Sequence, residues 1–165
     1  MVRIRFCLPL LLLGLPAVHA HDHDTHARAS TPADASPRVV SLEPAARATL
    51  TRHQVEASVH GATLRCEGVS LAALLQATGA MPDTPLAGAH LDRYVLVTGR
   101  DDYRAVFSLG ELDATLGNRG VYLVDRCDDA PLDDSSNPLR LLVPDASRAA
   151  RSVRQVERIT VVAAP

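Results

Sequence analysis

The sequence predicts an α+β domain, in which two or three short helices accompany a mixed, largely antiparallel β-sheet. Two observations lead to this class. Short apolar or alternating segments with β-branched residues recur along the chain, and turn signals separate most of them. Helical patterns, in contrast, are brief and begin at serine caps. Strands therefore dominate the predicted domain.

The clearest strand prediction is a hairpin. Residues 53–59 alternate between polar and apolar, and residues 62–67 pair back across the turn at His60-Gly61. Apolar positions in the last strand do not alternate strictly, so we expect a bulge near Gln155 or Glu157. The other strands are predicted at residues 39–40, 94–98, 103–107, 121–124 and 139–143, with the last one at about 153–162.

Serine residues are expected to cap the helices. Ser108 and Glu111 have the spacing of a capping box, and that helix should run to about Leu116 with this leucine facing inward. The other two helices are predicted at residues 43–50, capped by Ser41, and at residues 71–78, capped by Ser70 and ended by Gly79.

The first twenty residues have the pattern of a secretory signal peptide. Arg3 and Arg5 precede an apolar stretch at residues 8–15, and small residues follow up to Ala20. The apolar stretch is too short to span a bilayer, and no later segment is long and apolar enough, so the mature chain should have no transmembrane segment. We therefore expect a periplasmic or secreted protein, cleaved after Ala20. The arginines are not an adjacent pair, which favours export of an unfolded chain over the twin-arginine route.

Residues 21–37 form a polar tail without apolar periodicity and are expected to be disordered, so the domain should occupy residues 38–165. Cleavage after Ala20 would place His21 at the new N-terminus and His23 at the third position. The terminal amine, two amide nitrogens and the imidazole of His23 can form a planar nitrogen site that suits Cu(II) or Ni(II). The alternative is a solubilising tail whose histidines bind nothing.

Charge excludes one class of partner. The chain has 17 basic and 19 acidic residues, and the basic ones are all arginine. Without Arg3 and Arg5 the net charge is near −4. Nonspecific nucleic-acid binding is therefore not expected.

A basic loop is the main candidate site. Arg148, Arg151 and Arg154 lie within seven residues, after the strand that Pro144 ends. With Ser147, these guanidinium groups can bind a small anionic ligand through charge-assisted hydrogen bonds. The alternative is a solvated charged surface, and a partner protein is a second type of ligand for such a surface.

Two cysteines remain after export, Cys66 and Cys127. An even number in an exported protein suggests a disulfide, although two separate buried thiols are the alternative. The chain has no C-x-x-C motif, so no thiol-exchange function is indicated.

Four segments together suggest a family. They are GVSLAALL from Gly68, YRAVFSLGEL from Tyr103, PLRLLVP from Pro138 and RSV from Arg151. In this order they resemble the molybdopterin-binding domain of the sulfite-oxidase-like oxidoreductases, and most closely its small exported members. The resemblance covers residues 39–162 and implies the fold of that domain.

The resemblance also implies a ligand. In the family this domain helps to hold a molybdenum cofactor, whose anionic end contacts the segment after the Val-Pro pair. That segment is residues 144–151 here, with Arg151 at the family's basic position, so molybdopterin is the cofactor that the resemblance implies for Ser147, Arg148 and Arg151.

This chain departs from the complete enzymes of the family. Their cysteine ligand to molybdenum stands about a dozen residues before Gly68, where residues 52–57 contain no cysteine, and Cys66 is too close to that glycine. The chain is also short, and a chain exported unfolded cannot carry a cofactor inserted in the cytoplasm. We therefore expect a degenerate binding module for a small anion or a partner protein, without molybdenum chemistry. The alternative is a molybdenum-cofactor-binding oxidoreductase or a subunit of one.

Overall fold

The structure, a computed structural model, describes residues 36–135 and 138–165 as two antiparallel sheets with short helices. In strand order, the first sheet contains β1 (Arg38–Val39), β9 (Val156–Ala163), β4 (Arg93–Gly99) and β5 (Arg104–Ser108). In strand order, the second contains β2 (Arg52–Val59), β3 (Ala62–Ser70), β6 (Tyr122–Cys127) and β7 (Ala130–Pro131), and β8 (Arg140–Leu142) also pairs with β6. The predicted α+β class is confirmed, with the strands divided between two sheets.

The β2–β3 hairpin has the register that the sequence predicts. Val59 pairs with Ala62 across the turn, and both turn residues have positive φ, 51° at His60 and 83° at Gly61. Positive φ at both central positions is the property of the type I′ turn, which matches the twist of the flanking strands. The hairpin is therefore confirmed, and its turn lies at the end of the second sheet.

Strands β8 and β9, which follow each other in the sequence, belong to different sheets. Backbone hydrogen bonds nevertheless link the two segments: Leu141 N donates to Val153 O at 2.8 Å and Val153 N to Leu141 O at 3.2 Å, and Val156 N donates to Leu139 O at 2.8 Å. The expected bulge is present, because Thr98 pairs with Arg158 but Gly99 pairs with Val156, which leaves Glu157 unpaired. The backbone bonds between Leu141 and Val153 thus join the two sheets.

The three α-helices are α1 (Pro44–Arg47), α2 (Leu71–Ala77) and α3 (Leu109–Leu112). The Ser70 and Ser108 caps are confirmed, with Oγ atoms that accept from Ala73 N at 3.5 Å and from Glu111 N at 3.0 Å. Ser41 is not the cap of α1, because Glu43 holds that position. The expected extension of α3 to Leu116 is wrong, since Asp113 is extended and accepts hydrogen bonds from Thr115, and Leu116 is 55% exposed.

The core takes buried apolar side chains from both sheets and from α2 and α3. A smaller cluster covers part of the second sheet, where Val59, Val124 and Leu142 are buried and Ala149 packs against them. Ala149 begins a 3₁₀ turn, Ala149–Arg151, in the loop before β9. This contact holds the loop that carries Arg148, Arg151 and Arg154, the arginine-rich loop, against the second sheet.

Residues 1–35 lie outside the described residues, and with them the predicted signal peptide, most of the predicted tail, and His21 and His23. Within residues 36–135 and 138–165, no helix is long and apolar enough to cross a bilayer.

Candidate functional site: a cleft beside the arginine-rich loop

A cleft of about 500 Å³ lies where three connections meet: the β2–β3 turn, the β4–β5 turn and the loop before β9. The strand pairing brings these connections together, although they are far apart in sequence. The polar side chains that line the cleft include His60, Asp101, Tyr103, Ser147, Arg148 and Arg154. The cleft thus contains Ser147 and Arg148, as the sequence predicts for the anion site, but Arg151 is not among its lining residues.

The charge of the cleft is positive. Arg148 and Arg154 are exposed, and neither has an ion pair within the described part of the chain. Asp101 is the one acidic residue of the lining, and its Oδ1 atom already accepts from Tyr103 N at 3.2 Å. Nearby, burial lowers the pKa of Arg140, and the positive charge of Arg154 lowers it further. Two arginine guanidinium groups against one carboxylate therefore give the lining its net positive charge.

Tyr103 fixes one wall of the cleft. Its hydroxyl group donates to Ala150 O at 2.5 Å, a bond that joins the β4–β5 turn to the loop. The sequence assigned Tyr103 to strand β5 and did not place it beside the arginines. The pairing of β4 with β9 brings the β4–β5 turn next to the loop before β9, and no local sequence pattern predicts that pairing.

Arg151 is half-buried, and its guanidinium is bound to neighbouring groups of the protein. Its Nη1 and Nη2 atoms donate to the two Glu111 carboxylate oxygens at 2.7 and 3.0 Å, and Nη2 also donates to Val106 O at 2.7 Å. The guanidinium lies over the Phe107 ring, 4.1 Å from its centroid. This bidentate, stacked geometry is one that arginine provides and lysine does not. Arg151 thus attaches the loop to β5 and α3.

Glu111 has a second arginine partner. Arg119 Nη1 donates to Glu111 Oε1 at 3.1 Å, and Arg119 also bonds both carboxylate oxygens of Asp145 at 3.3 Å. Hydrogen bonds from Arg151, helped by Arg119 and opposed by burial, lower the pKa of Glu111. The sequence identified Glu111 as part of a capping box but not as the centre of this ion-pair chain.

The lowered pKa of Glu111 predicts how the stability of the protein changes at acidic pH. A carboxyl group whose pKa is lower in the folded state stabilises the protein above its unfolded-state pKa, near 4.5, and this contribution is lost as the pH falls through the folded-state pKa. Glu111→Gln should therefore lower the free energy of unfolding by about 1.5–3 kcal/mol at pH 7, and the difference from wild type should shrink below pH 4.5. Urea unfolding from pH 7 to pH 3 measures this difference, and a gap independent of pH would contradict the assignment.

A similar ion-pair group lies on the second sheet. Asp125 accepts from Arg47 at 3.0 Å and from Arg52 at 2.6 Å, and Arg52 also contacts Glu67. Burial raises the pKa of Asp125, but hydrogen bonds from Arg52 and Arg47 outweigh burial and lower it overall. None of these residues lines the cleft. This ion-pair group therefore offers a control for the ion pairs around Glu111.

The predicted disulfide is present. Cys66 and Cys127 are directly opposite each other on β3 and β6, with an S–S distance of 1.99 Å. Cys66 is 1% exposed, so this half of the bridge is buried. Neither cysteine therefore offers a thiolate in this state. Among the residues that the structure describes, no three His, Cys, Asp or Glu side chains are grouped so that they could hold a metal ion.

Comparison with known proteins agrees with the resemblance noted in the sequence. A search of curated proteins finds no match. The family model described as the oxidoreductase molybdopterin binding domain matches residues 38–165, which is most of the chain and includes both sheets and the cleft. The chain therefore belongs to the oxidoreductase molybdopterin binding domain family.

Proposed function

We propose that this protein is an exported binding module that holds a small anion in the cleft beside the arginine-rich loop. The main support is the pair of arginines, Arg148 and Arg154, that line the cleft without an ion-pair partner among the described residues. Guanidinium groups bind oxyanions through parallel hydrogen bonds, and Ser147 adds a hydroxyl donor. Export is inferred from the signal-peptide pattern of residues 1–20.

In this proposal Arg148 and Arg154 make the direct anion contacts. Arg151, which the sequence also nominates, is already bonded to Glu111 and to Val106 O. Moving it to an external anion would break these bonds and leave the half-buried Glu111 carboxylate without its strongest partner. A direct contact from Arg151 stays a prediction, and the sulfate experiment below includes it.

The residues present do not fit the molybdenum cofactor as the complete enzymes of the family hold it. That site needs a cysteine thiolate, and both cysteines of the described residues are joined in the disulfide. We therefore propose no redox step for this chain. Two alternatives stay open. Family membership supports an oxidoreductase subunit that a second subunit completes, and the arginine-rich loop could bind a partner protein in place of a small anion.

Sulfate is a suitable probe, because its charge does not change between pH 5 and pH 8. We expect sulfate to bind the full chain at low ionic strength, and the double variant Arg148→Ala/Arg154→Ala to bind about tenfold more weakly or worse, as expected for the loss of charge-assisted hydrogen bonds. Isothermal titration calorimetry measures the affinity. Arg151→Ala should lower the melting temperature, since its guanidinium stabilises the loop, and should weaken sulfate binding less than the double variant does. An equal or greater loss of sulfate affinity would indicate a direct contact from Arg151.

A matched control is the double variant Arg104→Ala/Arg158→Ala. Both residues are exposed and pair with Thr98 from the two neighbouring strands of the first sheet. Replacing them removes the same charge as the first double variant, but neither residue lines the cleft. Its sulfate affinity should stay close to that of wild type. Equal losses in the two double variants would mean that sulfate responds to net charge alone, and the proposed site would be wrong.

The Cu(II) or Ni(II) site at His21 and His23 is independent of the cleft and stays a prediction, because these residues lie outside the described part of the chain.

A further inference from the structure

An unbroken chain of ion pairs connects the two ends of the loop that carries Ser147 and Arg148. At one end Asp145 bonds Arg119, Arg119 bonds Glu111, and Glu111 bonds Arg151 at the other end. The distances along this chain are 3.3, 3.1 and 2.7 Å. Residues 146–150 therefore lie within a ring that is closed by side chains from outside the loop.

Glu111 is the central member of this ring. Its Oε1 atom accepts from both Arg119 and Arg151, so the loss of this one carboxylate breaks both halves of the connection. Glu111 stands on α3, and Arg119 lies beyond that helix in the segment before β6. Backbone bonds fix this part of the chain, since Arg119 N donates to Glu111 O at 2.9 Å and Gly117 N donates to Gly110 O at 3.0 Å. The two side chains thus project from a rigid support.

Backbone and packing contacts flank Ser147 and Arg148 between these ends. Tyr103 holds Ala150 O, Ala149 packs on the small cluster of the second sheet, and Ala146 packs against the main core. Ser147 and Arg148 are exposed, and no hydrogen bond or ion pair of their side chains is found within the described residues. Their position at the cleft is therefore set by the backbone on either side of them, to which the ion pairs at the two ends of the loop contribute.

We propose that Glu111 and Arg119 are positioning residues, which close residues 145–151 into one conformation and so hold Ser147 and Arg148 at the cleft. This inference rests on the proposed anion function for its ligand, but the closure of the loop can be tested separately. A group that preorganises a binding loop strengthens binding, because the free protein no longer has to order that loop when the ligand arrives.

The test compares Glu111→Gln with Asp125→Asn in the full chain. Each change replaces the central carboxylate of an ion-pair group by the amide of the same shape, but the partners of Asp125, Arg47 and Arg52, are not part of the loop. Glu111→Gln should weaken sulfate binding about fivefold or more, as expected for energetic coupling between neighbouring sites, whereas Asp125→Asn should leave it unchanged. Arg119→Gln removes only the Asp145 half of the ring and serves as a milder variant if Glu111→Gln does not fold.

Trypsin provides a measurement that does not depend on sulfate. It cleaves after arginine, and cleavage after the exposed Arg148 requires the loop to open. At a temperature where all proteins are folded, we expect faster cleavage at Arg148 in Glu111→Gln and in Arg119→Gln than in Asp125→Asn. If wild type does not bind sulfate, the proposed function fails, and the cleavage rates alone decide whether the ring closes the loop. Equal cleavage in all three variants, or equal sulfate affinity where wild type binds, would overturn the positioning role.

Discussion

Replacing both Cys66 and Cys127 with alanine should lower the free energy of unfolding by about 4 kcal/mol. The two cysteines are 61 residues apart, so the bridge removes many conformations from the unfolded chain. A loss of this size is a large part of the stability of an ordinary domain. Urea unfolding monitored by circular dichroism, with the wild-type disulfide intact, gives the comparison.

Reduction supplies the control for the disulfide prediction. Adding dithiothreitol should destabilise wild type by a similar amount but should leave the double alanine variant unchanged. If reduced and oxidised wild type unfold at the same urea concentration, the bridge does not stabilise the domain.

Among the glycines that the structure describes, Gly68→Ala should be the most damaging alanine substitution. A Cβ atom at Gly68 would lie 2.2 Å from Leu123 O and 2.5 Å from Val124 Cα, both of which are backbone atoms of the neighbouring strand β6. Backbone atoms in the middle of a sheet cannot move aside without breaking the pairing of β3 with β6. We expect a loss of about 3 kcal/mol or more in the free energy of unfolding, at or beyond the upper end of ordinary overpacking.

Gly110 provides the matched control. A Cβ atom there would meet only Leu116 Cδ1 at 3.6 Å, an ordinary van der Waals contact, and Gly110 lies within α3. Gly110→Ala should therefore be neutral or slightly stabilising, because alanine favours the helix over glycine. Thermal melts of the two variants would separate steric conflict from a general effect of glycine replacement. Similar melting temperatures for both would show that the close approach at Gly68 has been misassigned.

Gly68 also shows what sequence motifs can and cannot tell. The GVSLAALL segment indicated that Gly68 breaks the strand and that Ser70 starts a helix. The helix start is confirmed, but the break is wrong, because β3 continues through Gly68 to Ser70 and pairs with β6 there. The segment did not explain why the position is glycine. The reason is a close contact with β6, a strand about fifty residues further along the chain, and such long-range contacts leave no local pattern.

The same distinction applies to the two sheets. The β2–β3 hairpin was predictable because turn chemistry and alternation act over a few residues. The partners of β8 and β9 were not, since an apolar run states that a strand is buried but not which strand lies beside it. Helix α3 is shorter than the sequence predicted. Leu116 fits the helical spacing, but the Asp113 side chain accepts a hydrogen bond from the backbone of Thr115, and the helix ends there.

The candidate site was partly predictable. The sequence indicated a basic loop after Pro144 and named Ser147 and Arg148, which line the cleft. It could not separate Arg151 from them, because three arginines at regular spacing look equivalent until Glu111 is brought next to one of them. Tyr103 and Asp101, the contributions of the β4–β5 turn, required the fold.

The central claim is that this member of the family binds an anion without molybdenum chemistry. It is tested most directly by the molybdenum and pterin content of protein purified from its native compartment, measured by elemental mass spectrometry and by pterin fluorescence after oxidation. Both should be far below one per chain, since the two cysteines are joined to each other. Stoichiometric molybdenum and pterin would contradict the account and identify the chain as a cofactor-bearing oxidoreductase subunit.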